Sequence, residues 1–126
     1  MITVLLVDDR PSMRGGLRRW LELAAEVAVV GEAGDGATAL TLAQALRPAV
    51  ILLDLETPGL DGIATVAALC RGVPESAVVV HSLHDGEATQ ARARAAGAAA
   101  FVSKHEPQER LLAANRQAAK VGPGPP

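Results

Sequence analysis

The sequence has very little of what builds a disulfide framework, an aromatic surface or a membrane span. Cys70 is the only cysteine among 126 residues, so the chain can form neither an internal disulfide nor a cysteine metal cluster. Tyrosine is absent, and Trp20 and Phe101 supply all the aromatic side chains of the Phe, Trp and Tyr type. The apolar runs are far shorter than the ~20 residues of a transmembrane helix, and the N-terminus lacks the features of a secretory signal. We therefore expect a cytoplasmic protein that does not associate with membranes.

The net charge and the length of the chain exclude further classes of protein. The 12 basic and 14 acidic side chains leave a net charge of -2, which provides no electrostatic reason for this chain to bind nucleic acid. A chain of 126 residues is long enough for one domain with a sizeable core. Because aromatic residues are so few, that core has to consist of Val, Leu, Ile and Ala, a composition that suits helices packed on a parallel sheet.

Short apolar runs, typical of buried parallel strands, alternate along the chain with segments typical of amphipathic helices. This alternation predicts a doubly wound α/β fold. The predicted strands are residues 2–7, 27–30, 49–53, 77–81 and 99–102, and the predicted helices are 11–25, 37–46, 62–71, 86–96 and Pro107 to about 119, with a turn over 31–36.

Individual residues mark several helix ends and helix faces. Asp61 is a candidate N-cap for the third helix, and Gly97 lies where a left-handed cap should end the fourth. Leu46 is predicted to face the core at the end of the second helix. Asn115 falls on the inward face of the last helix, where a polar side chain conflicts with its surroundings.

Charged residues follow the ends of three predicted strands. Asp8 and Asp9 come after the first strand, Asp54 after the third and Lys104 after the fifth. Ligands of open parallel sheets bind outside the carboxyl ends of the strands, so we expect these charges to converge on one site.

These residue types point to phosphoryl chemistry on a carboxylate. Three neighbouring carboxylates repel one another, and a hard divalent cation such as Mg²⁺ relieves the repulsion. A carboxylate beside such a metal can attack phosphorus and become an aspartyl phosphate. The transfer then requires little beyond positioning and charge neutralisation, which Lys104 and the hydroxyl of Ser82, at the end of the fourth strand, can supply.

The same residues carry a resemblance to a known family. The chain resembles the response-regulator receiver domain, the CheY-like fold, over about residues 1–119. The resemblance implies a five-stranded parallel sheet of order 2-1-3-4-5 with helices on both faces, a receiver domain over residues 1–120, and a Gly/Pro tail or linker start over 121–126. The matching elements are Asp8-Asp9, Asp54 followed by Pro58 and Gly62, Ser82, and Phe101-x-x-Lys104.

The resemblance assigns the acidic residues unequal roles. It implies that Asp54 is the phosphoacceptor and that Asp9 binds Mg²⁺ directly, with Asp8 assisting through water. It also implies that Asp54 and the backbone carbonyl of Glu56 join the metal ligands, and that Mn²⁺ can replace Mg²⁺. The side chain at position 56 belongs to the variable positions that help set how fast the acyl phosphate of a receiver hydrolyses.

The resemblance further implies a switch and a phosphodonor. Lys104 pairs with the phosphoryl group, Ser82 moves to bind it, and Phe101 changes rotamer as the space behind Ser82 opens. The implied phosphodonor is a sensor histidine kinase. The domain is then a signalling protein, not an enzyme, that assists its own phosphorylation and slow dephosphorylation.

Two stretches are similar to receivers of NarL/LuxR-type transcription regulators, namely residues 29–36 and Lys104-His105. This similarity implies a DNA-binding output domain, which these 126 residues do not include, and a possible homodimer on phosphorylation. The chain is then either part of a longer regulator or a single-domain relative.

Two other functions stay open. An aspartate-nucleophile phosphatase would use Glu56 as a second carboxylate two residues after Asp54, and a pseudo-receiver would serve as an interaction module that ignores phosphate. A basic face on the first helix likewise has two interpretations, a kinase docking surface or a solvated face. Its residues are Arg10, Arg14 and Arg18.

Overall fold

Strands and helices alternate strictly in the computed structural model, which describes residues 1–57 and 61–123. Residues 58–60 and 124–126 lie outside the described residues. They include Pro58, which is part of the resemblance, and the end of the predicted tail. The elements are β1 (Ile2–Val7), α1 (Pro11–Leu21), β2 (Val27–Ala33), α2 (Gly36–Leu46), β3 (Val50–Asp54), α3 (Gly62–Gly72), β4 (Ala77–Ser82), α4 (Glu87–Ala95), β5 (Ala100–Ser103) and α5 (Gln108–Val121).

All strand pairs are parallel, and the strand order is β2-β1-β3-β4-β5. This confirms the predicted doubly wound α/β fold and its sheet order. The chain reverses its direction of winding between β1 and β3, where Val7 pairs with Leu53. The residues that follow these two strands therefore lie side by side at the switch point of the sheet.

The helices cover both faces of the sheet. Helices α1 and α5 pack on one face, and α2, α3 and α4 pack on the other. Each face has its own aliphatic core, since successive strand residues point to opposite sides: Leu5 and Ile51 contribute to one cluster, Leu6 and Leu52 to the other. The prediction of a Val, Leu, Ile and Ala core is confirmed.

Strand β2 is longer than predicted. The predicted strand ends at residue 30, but β2 continues to Ala33, so the predicted turn over 31–36 is wrong in its first half. The register shifts there, because Val4 pairs with Val29 while Leu5 pairs with Gly31. One extra residue, Val30, is accommodated in a bulge. Pairing with β1 outweighs the turn tendency of glycine.

Helix α1 is shorter than predicted. It ends at Leu21 rather than at residue 25, with Glu22 as its C-cap. The Glu22 carboxylate accepts a hydrogen bond from the backbone N–H of Val29 at 3.2 Å. Hydrogen bonds of Leu23 and Ala24 to the last turn of the helix then lead the chain back toward β2.

Leu46 does not enter the core, and this prediction is wrong. Its side chain is 41% exposed, while Ala39 and Ala43 form the buried stripe of α2. The Leu46 side chain lies against Gly31 of the edge strand β2, where a Cβ atom would come within 2.9 Å of Leu46 Cδ1. The end of α2 therefore packs at the sheet edge, where water reaches one side of the leucine.

The predicted helix ends are mostly correct. Asp61 caps α3 by accepting a hydrogen bond from the N–H of Ala64 at 3.2 Å, and Gly97 has a positive φ of 112° after α4. Helix α5 continues to Val121, two residues beyond the predicted end at 119. Asn115 is fully buried, as predicted, and its amide donates to the carbonyl of Leu111 at 2.7 Å. None of the helices in the described ranges has the length and apolar character that crossing a membrane requires.

Candidate functional site

The carboxyl ends of four strands bring the predicted site residues together. Asp8 and Asp9 follow β1, Asp54 ends β3, Ser82 ends β4, and Lys104 follows β5. The sheet order places these ends in a row, and contacts between side chains link them directly. Convergence of the charges, which was expected from the strand pattern, is therefore observed.

Asp54 lies at the centre of the site and is 5% exposed. Its Oδ1 accepts hydrogen bonds from Lys104 Nζ at 2.7 Å and from the backbone N–H of Glu56 at 2.9 Å. Its Oδ2 accepts from Arg10 Nη2 at 2.6 Å. Burial by itself raises the pKa of Asp54, but the donors of Lys104 and Glu56 outweigh burial and hold the pKa below its usual value. The carboxylate is thus ionised at neutral pH, as a nucleophile must be.

Asp8 and Asp9 differ in their partners. Asp8 Oδ1 accepts from the backbone N–H of Arg10 at 2.9 Å and from its Nε at 3.3 Å. Asp9 Oδ1 is buried without a hydrogen-bond partner among the described residues. A buried carboxylate oxygen left without a donor is costly, and a hard cation would satisfy it. In chemical type, the carboxylate oxygens of Asp9, Asp8 and Asp54 match the donors that Mg²⁺ prefers.

The carboxylates do not form a ready-made metal cage. The parts of the chain that the structure describes contain no group of three or more His, Cys, Asp or Glu side chains placed to hold a metal ion. Instead, two of these carboxylates share a cation of the chain, since the guanidinium of Arg10 binds both Asp8 and Asp54. These two acidic partners also raise the pKa of Arg10. Sequence reasoning did not identify this bridge, although the position of Arg10 directly after the acidic pair was a signal.

The side chain of Glu56 binds three groups of the site. Its Oε2 accepts a short hydrogen bond from the Ser82 hydroxyl, while its Oε1 accepts from the backbone N–H of Leu83 at 2.7 Å. Lys104 Nζ lies 3.3 Å from Oε1. Burial raises the pKa of Glu56, but these donors, Ser82 first, lower it further than burial raises it. The predictions for Glu56 concern its backbone carbonyl as a metal ligand and its side chain in acyl phosphate hydrolysis or as a second carboxylate, and they did not include these contacts.

Phe101 and His81 lie beside the site on opposite faces of the sheet. Phe101 is partly buried against the cluster that includes Val80 and Ala93, on the side of α4. His81 is paired in register with Asp54 and lines a groove between α1 and α5. Burial, and then the positive charge of Lys104, lower the pKa of His81, which is therefore neutral at pH 7.

The groove between α1 and α5 opens next to Asp54. It encloses about 490 Å³ and has Met13 and Leu17 on the α1 side and Gln108 on the α5 side. Arg10 and Lys104 lie at its end toward the acidic site.

The predicted basic face of α1 is engaged within the chain. Arg14 Nε binds Glu32 Oε1 at 3.1 Å, and Arg18 Nη1 binds Glu32 Oε2 at 2.9 Å. Arg10 binds the acidic site. Each of the three arginines thus binds a carboxylate of this chain, while the side chains of Arg10 and Arg18 stay 48% and 41% exposed. Docking of a kinase on α1 stays a prediction.

Together the fold and the site define a class. The chain is a doubly wound α/β protein with an ionised aspartate at the sheet's switch point, between an acidic pair and a lysine. The sequence model of the family described as "Response regulator receiver domain" matches residues 4–116. The chain therefore belongs to the response regulator receiver domain family, whose members are generally not enzymes. The resemblance drawn from the motifs is confirmed.

The relatives of this chain are named as response regulators. The chain is 38% identical over 117 residues to the nitrate/nitrite response regulator protein NarL of Escherichia coli, covering 93% of this chain and 54% of that protein. It thus spans about half the length of the curated relatives it matches. The receiver domain of the putative response regulator NarL from Mycobacterium tuberculosis is 40% identical, with a TM-score of 0.84 and coverage of 94% and 96% of the two chains. A response regulator from Burkholderia pseudomallei, solved with a phosphorylated aspartic acid, a calcium ion and citrate, is 30% identical with a TM-score of 0.82, covering 96% of this chain and 70% of that one.

Proposed function

We propose that this receiver accepts a phosphoryl group from a sensor histidine kinase onto Asp54, with Mg²⁺ as the metal. The observation that carries the proposal is the environment of Asp54: an ionised, nearly buried carboxylate that binds Lys104 and lies beside the acidic pair. The Burkholderia relative, which contains a phosphorylated aspartic acid and a divalent cation, supports the same chemistry here.

The residues of this chain have distinct tasks in the transfer. An Asp54 oxygen attacks phosphorus as the bond from phosphorus to the donor histidine nitrogen breaks, so the phosphoryl group moves without loss of atoms. Lys104, already 2.7 Å from Asp54 Oδ1, balances the charge that collects on the phosphoryl oxygens. Asp9, Asp8, Asp54 and the backbone carbonyl of Glu56 would hold the metal. When bound, Mg²⁺ or Mn²⁺ supplies further charge neutralisation at those oxygens.

Phosphorylation would then change the partners of Ser82. In the structure the Ser82 hydroxyl donates to Glu56, and we assign it the phosphoryl group as its alternative acceptor. The move opens space into which Phe101 can rotate, which alters the surface around α4 and β5. We also assign to the domain a slow hydrolysis of its own acyl phosphate, with no turnover of an external substrate.

The relatives support a proposal for the bounds of the domain, its output and its location. We propose a receiver domain over residues 1–120 followed by a tail or linker, although residue 121, where the tail was predicted to start, is the last residue of α5. This receiver would control a DNA-binding output in the cytoplasm, with homodimerisation on phosphorylation. The name of a relative that is 40% identical over 119 residues, "Probable transcriptional regulatory protein NarL" of Mycobacterium tuberculosis, supports a transcriptional output. The alternative is a single-domain, stand-alone regulator.

Replacing the proposed phosphoacceptor tests the assignment. Asp54→Asn keeps the size of the side chain but removes the nucleophilic oxygen, so labelling by radioactive acetyl phosphate with Mg²⁺ should fall at least about 100-fold, to background. The matched control is Asp61→Asn, because asparagine still caps α3. Asp61→Asn should label like the unmodified protein. Labelling of Asp54→Asn at the normal rate would overturn the assignment.

A phosphate-independent interaction module is the second candidate. It is favoured by one observation, namely that Arg10 already neutralises Asp8 and Asp54. Titration with beryllofluoride and Mg²⁺ in an ¹⁵N NMR experiment separates the two functions. A receiver should show shifts at Ser82, Leu83 and Lys104, whereas an unchanged spectrum would favour the interaction module.

A further inference from the structure

The side chain of Arg10 does not cap the helix that it precedes. Arg10 is the N-cap of α1 in an extended conformation, with φ -99° and ψ 100°, and it makes no side-chain cap hydrogen bond. Its side chain instead reaches back over the ends of β1 and β3 and binds one oxygen of Asp8 and one of Asp54. A cation of this chain thus lies between two of the carboxylates to which we have assigned Mg²⁺.

We propose that Arg10 is a displaceable counter-cation of the acidic site, which has to withdraw before Mg²⁺ can bind. The inference rests on the proposed function, because it concerns access to the same metal site. Arg10 takes the side of Asp54 that Lys104 leaves open: Lys104 binds Oδ1, and Arg10 binds Oδ2 at 2.6 Å. A metal ion held by Asp8 and Asp54 would repel the guanidinium that binds the same two carboxylates.

Solvent exposure of the side chain distinguishes Arg10, the cation proposed to leave, from Lys104, the cation that stays. The side chain of Arg10 is 48% exposed, whereas that of Lys104 is 16% exposed. Arg10 can therefore turn into solvent and recover its hydration, while Lys104 is held by Asp54 and Glu56. Mg²⁺ binding and the release of Arg10 are then one exchange, and the Arg10 ion pairs reduce the apparent affinity for Mg²⁺.

The experiment compares Mg²⁺ affinities by isothermal titration calorimetry. Arg10→Gln removes the cation, and Arg19→Gln is the matched control, since Arg19 is an exposed arginine of the same helix without an ion pair among the described residues. Arg10→Gln should bind Mg²⁺ about tenfold more tightly than the unmodified protein, and Arg19→Gln should change little. Arg10→Lys keeps the charge but cannot bridge two carboxylates, so its Mg²⁺ affinity should lie between those of the unmodified protein and Arg10→Gln.

A second measurement follows Arg10 itself and keeps the test valid if a variant folds poorly. In the unmodified protein, the Arg10 Nε–Hε resonance should move toward the chemical shift of a solvated arginine as Mg²⁺ is added. The midpoint of this movement should lie at the same Mg²⁺ concentration as the midpoint of the calorimetric titration. Acetyl phosphate labelling should be faster in Arg10→Gln at low Mg²⁺ and equal in both proteins at saturating Mg²⁺.

The outcomes separate this inference from the proposed function. If both proteins bind Mg²⁺ with the same affinity and the Arg10 resonance does not move, Arg10 is not displaced and the inference is wrong, while the receiver assignment stands. If neither protein binds Mg²⁺, the proposed metal site is wrong, and the inference is wrong with it.

Discussion

At the residue scale, the Glu56 carboxylate is a hydrogen-bond acceptor for the residues that end and follow β4. The Ser82 hydroxyl and the Leu83 backbone N–H both donate to the Glu56 carboxylate, so the loop after β4 is tied to the loop after β3. Lys104 is shared between Asp54 and Glu56. Under the function proposed above, Glu56 therefore competes with the phosphoryl group on Asp54 for Ser82 and Lys104, and it favours the unphosphorylated arrangement.

Removing this competitor should favour the phosphorylated arrangement. Glu56→Ala releases Ser82 and the second contact of Lys104, so its affinity for beryllofluoride with Mg²⁺ should rise by roughly 3- to 10-fold, the effect of about 1 kcal/mol. Fluorine NMR or calorimetry measures the affinity. Glu109→Ala, an exposed position on α5, is the control and should not change it. An unchanged or weaker affinity of Glu56→Ala would show that Glu56 does not hold back the switch.

At the scale of elements, glycines play opposite roles in two helices. Gly97 ends α4 with a φ of 112°, and a Cβ atom there would lie 2.8 Å from Cys70 Sγ of α3. Gly16 lies inside α1, where a Cβ atom would meet nothing within 4 Å. The first glycine is required by conformation and packing, and the second only weakens its helix.

The two Gly→Ala substitutions should change the free energy of unfolding in opposite directions. Gly97→Ala should lower it by at least ~1–2 kcal/mol, because alanine disfavours this backbone conformation and its methyl group contacts Cys70. Gly16→Ala should raise it by ~0.5–1 kcal/mol through helix propensity. Urea unfolding followed by circular dichroism measures both. Equal stability of Gly97→Ala and the unmodified protein would contradict the structure of this turn.

At the scale of the whole molecule, buried ionisable groups connect stability to pH. The folded structure lowers the pKa of Asp54 and Glu56 through the donors described above, and it lowers the pKa of His81 by burial and by Lys104. In each case the unfolded chain binds protons more readily than the folded one. These groups therefore contribute stability above their unfolded pKa values, and the contribution is lost as the pH falls.

The free energy of unfolding should consequently decrease as the pH is lowered, in two stages. The first stage begins near pH ~6.5, where His81 of the unfolded chain takes up a proton, and the second begins near pH ~4, where Asp54 and Glu56 do so. Urea titrations at pH values from 8 to 3, without Mg²⁺, measure this free energy of unfolding. His81→Leu should remove the first stage and leave the second. Stability that stays constant or rises toward acid pH would contradict the pKa shifts.

Much of the fold and the list of site residues could be predicted without coordinates. Apolar runs identify strands, and in a parallel sheet the residues after the strand ends must meet, so Asp8, Asp9, Asp54 and Lys104 could be grouped from their positions alone. The bulge after Val29 could not be predicted, because it depends on pairing with β1. The exposure of Leu46 depends on where α2 crosses the sheet edge.

The sequence by itself determined the α/β class, the family and the identity of the carboxylates and lysine, since these follow from periodicity and from residue types at strand ends. Only the tertiary structure decided the partners of those groups: Arg10 between Asp8 and Asp54, and the Glu56 side chain on Ser82 and Lys104. The physical reason is that long charged side chains have many rotamers of similar energy. The charges that the fold places within their reach select one of them.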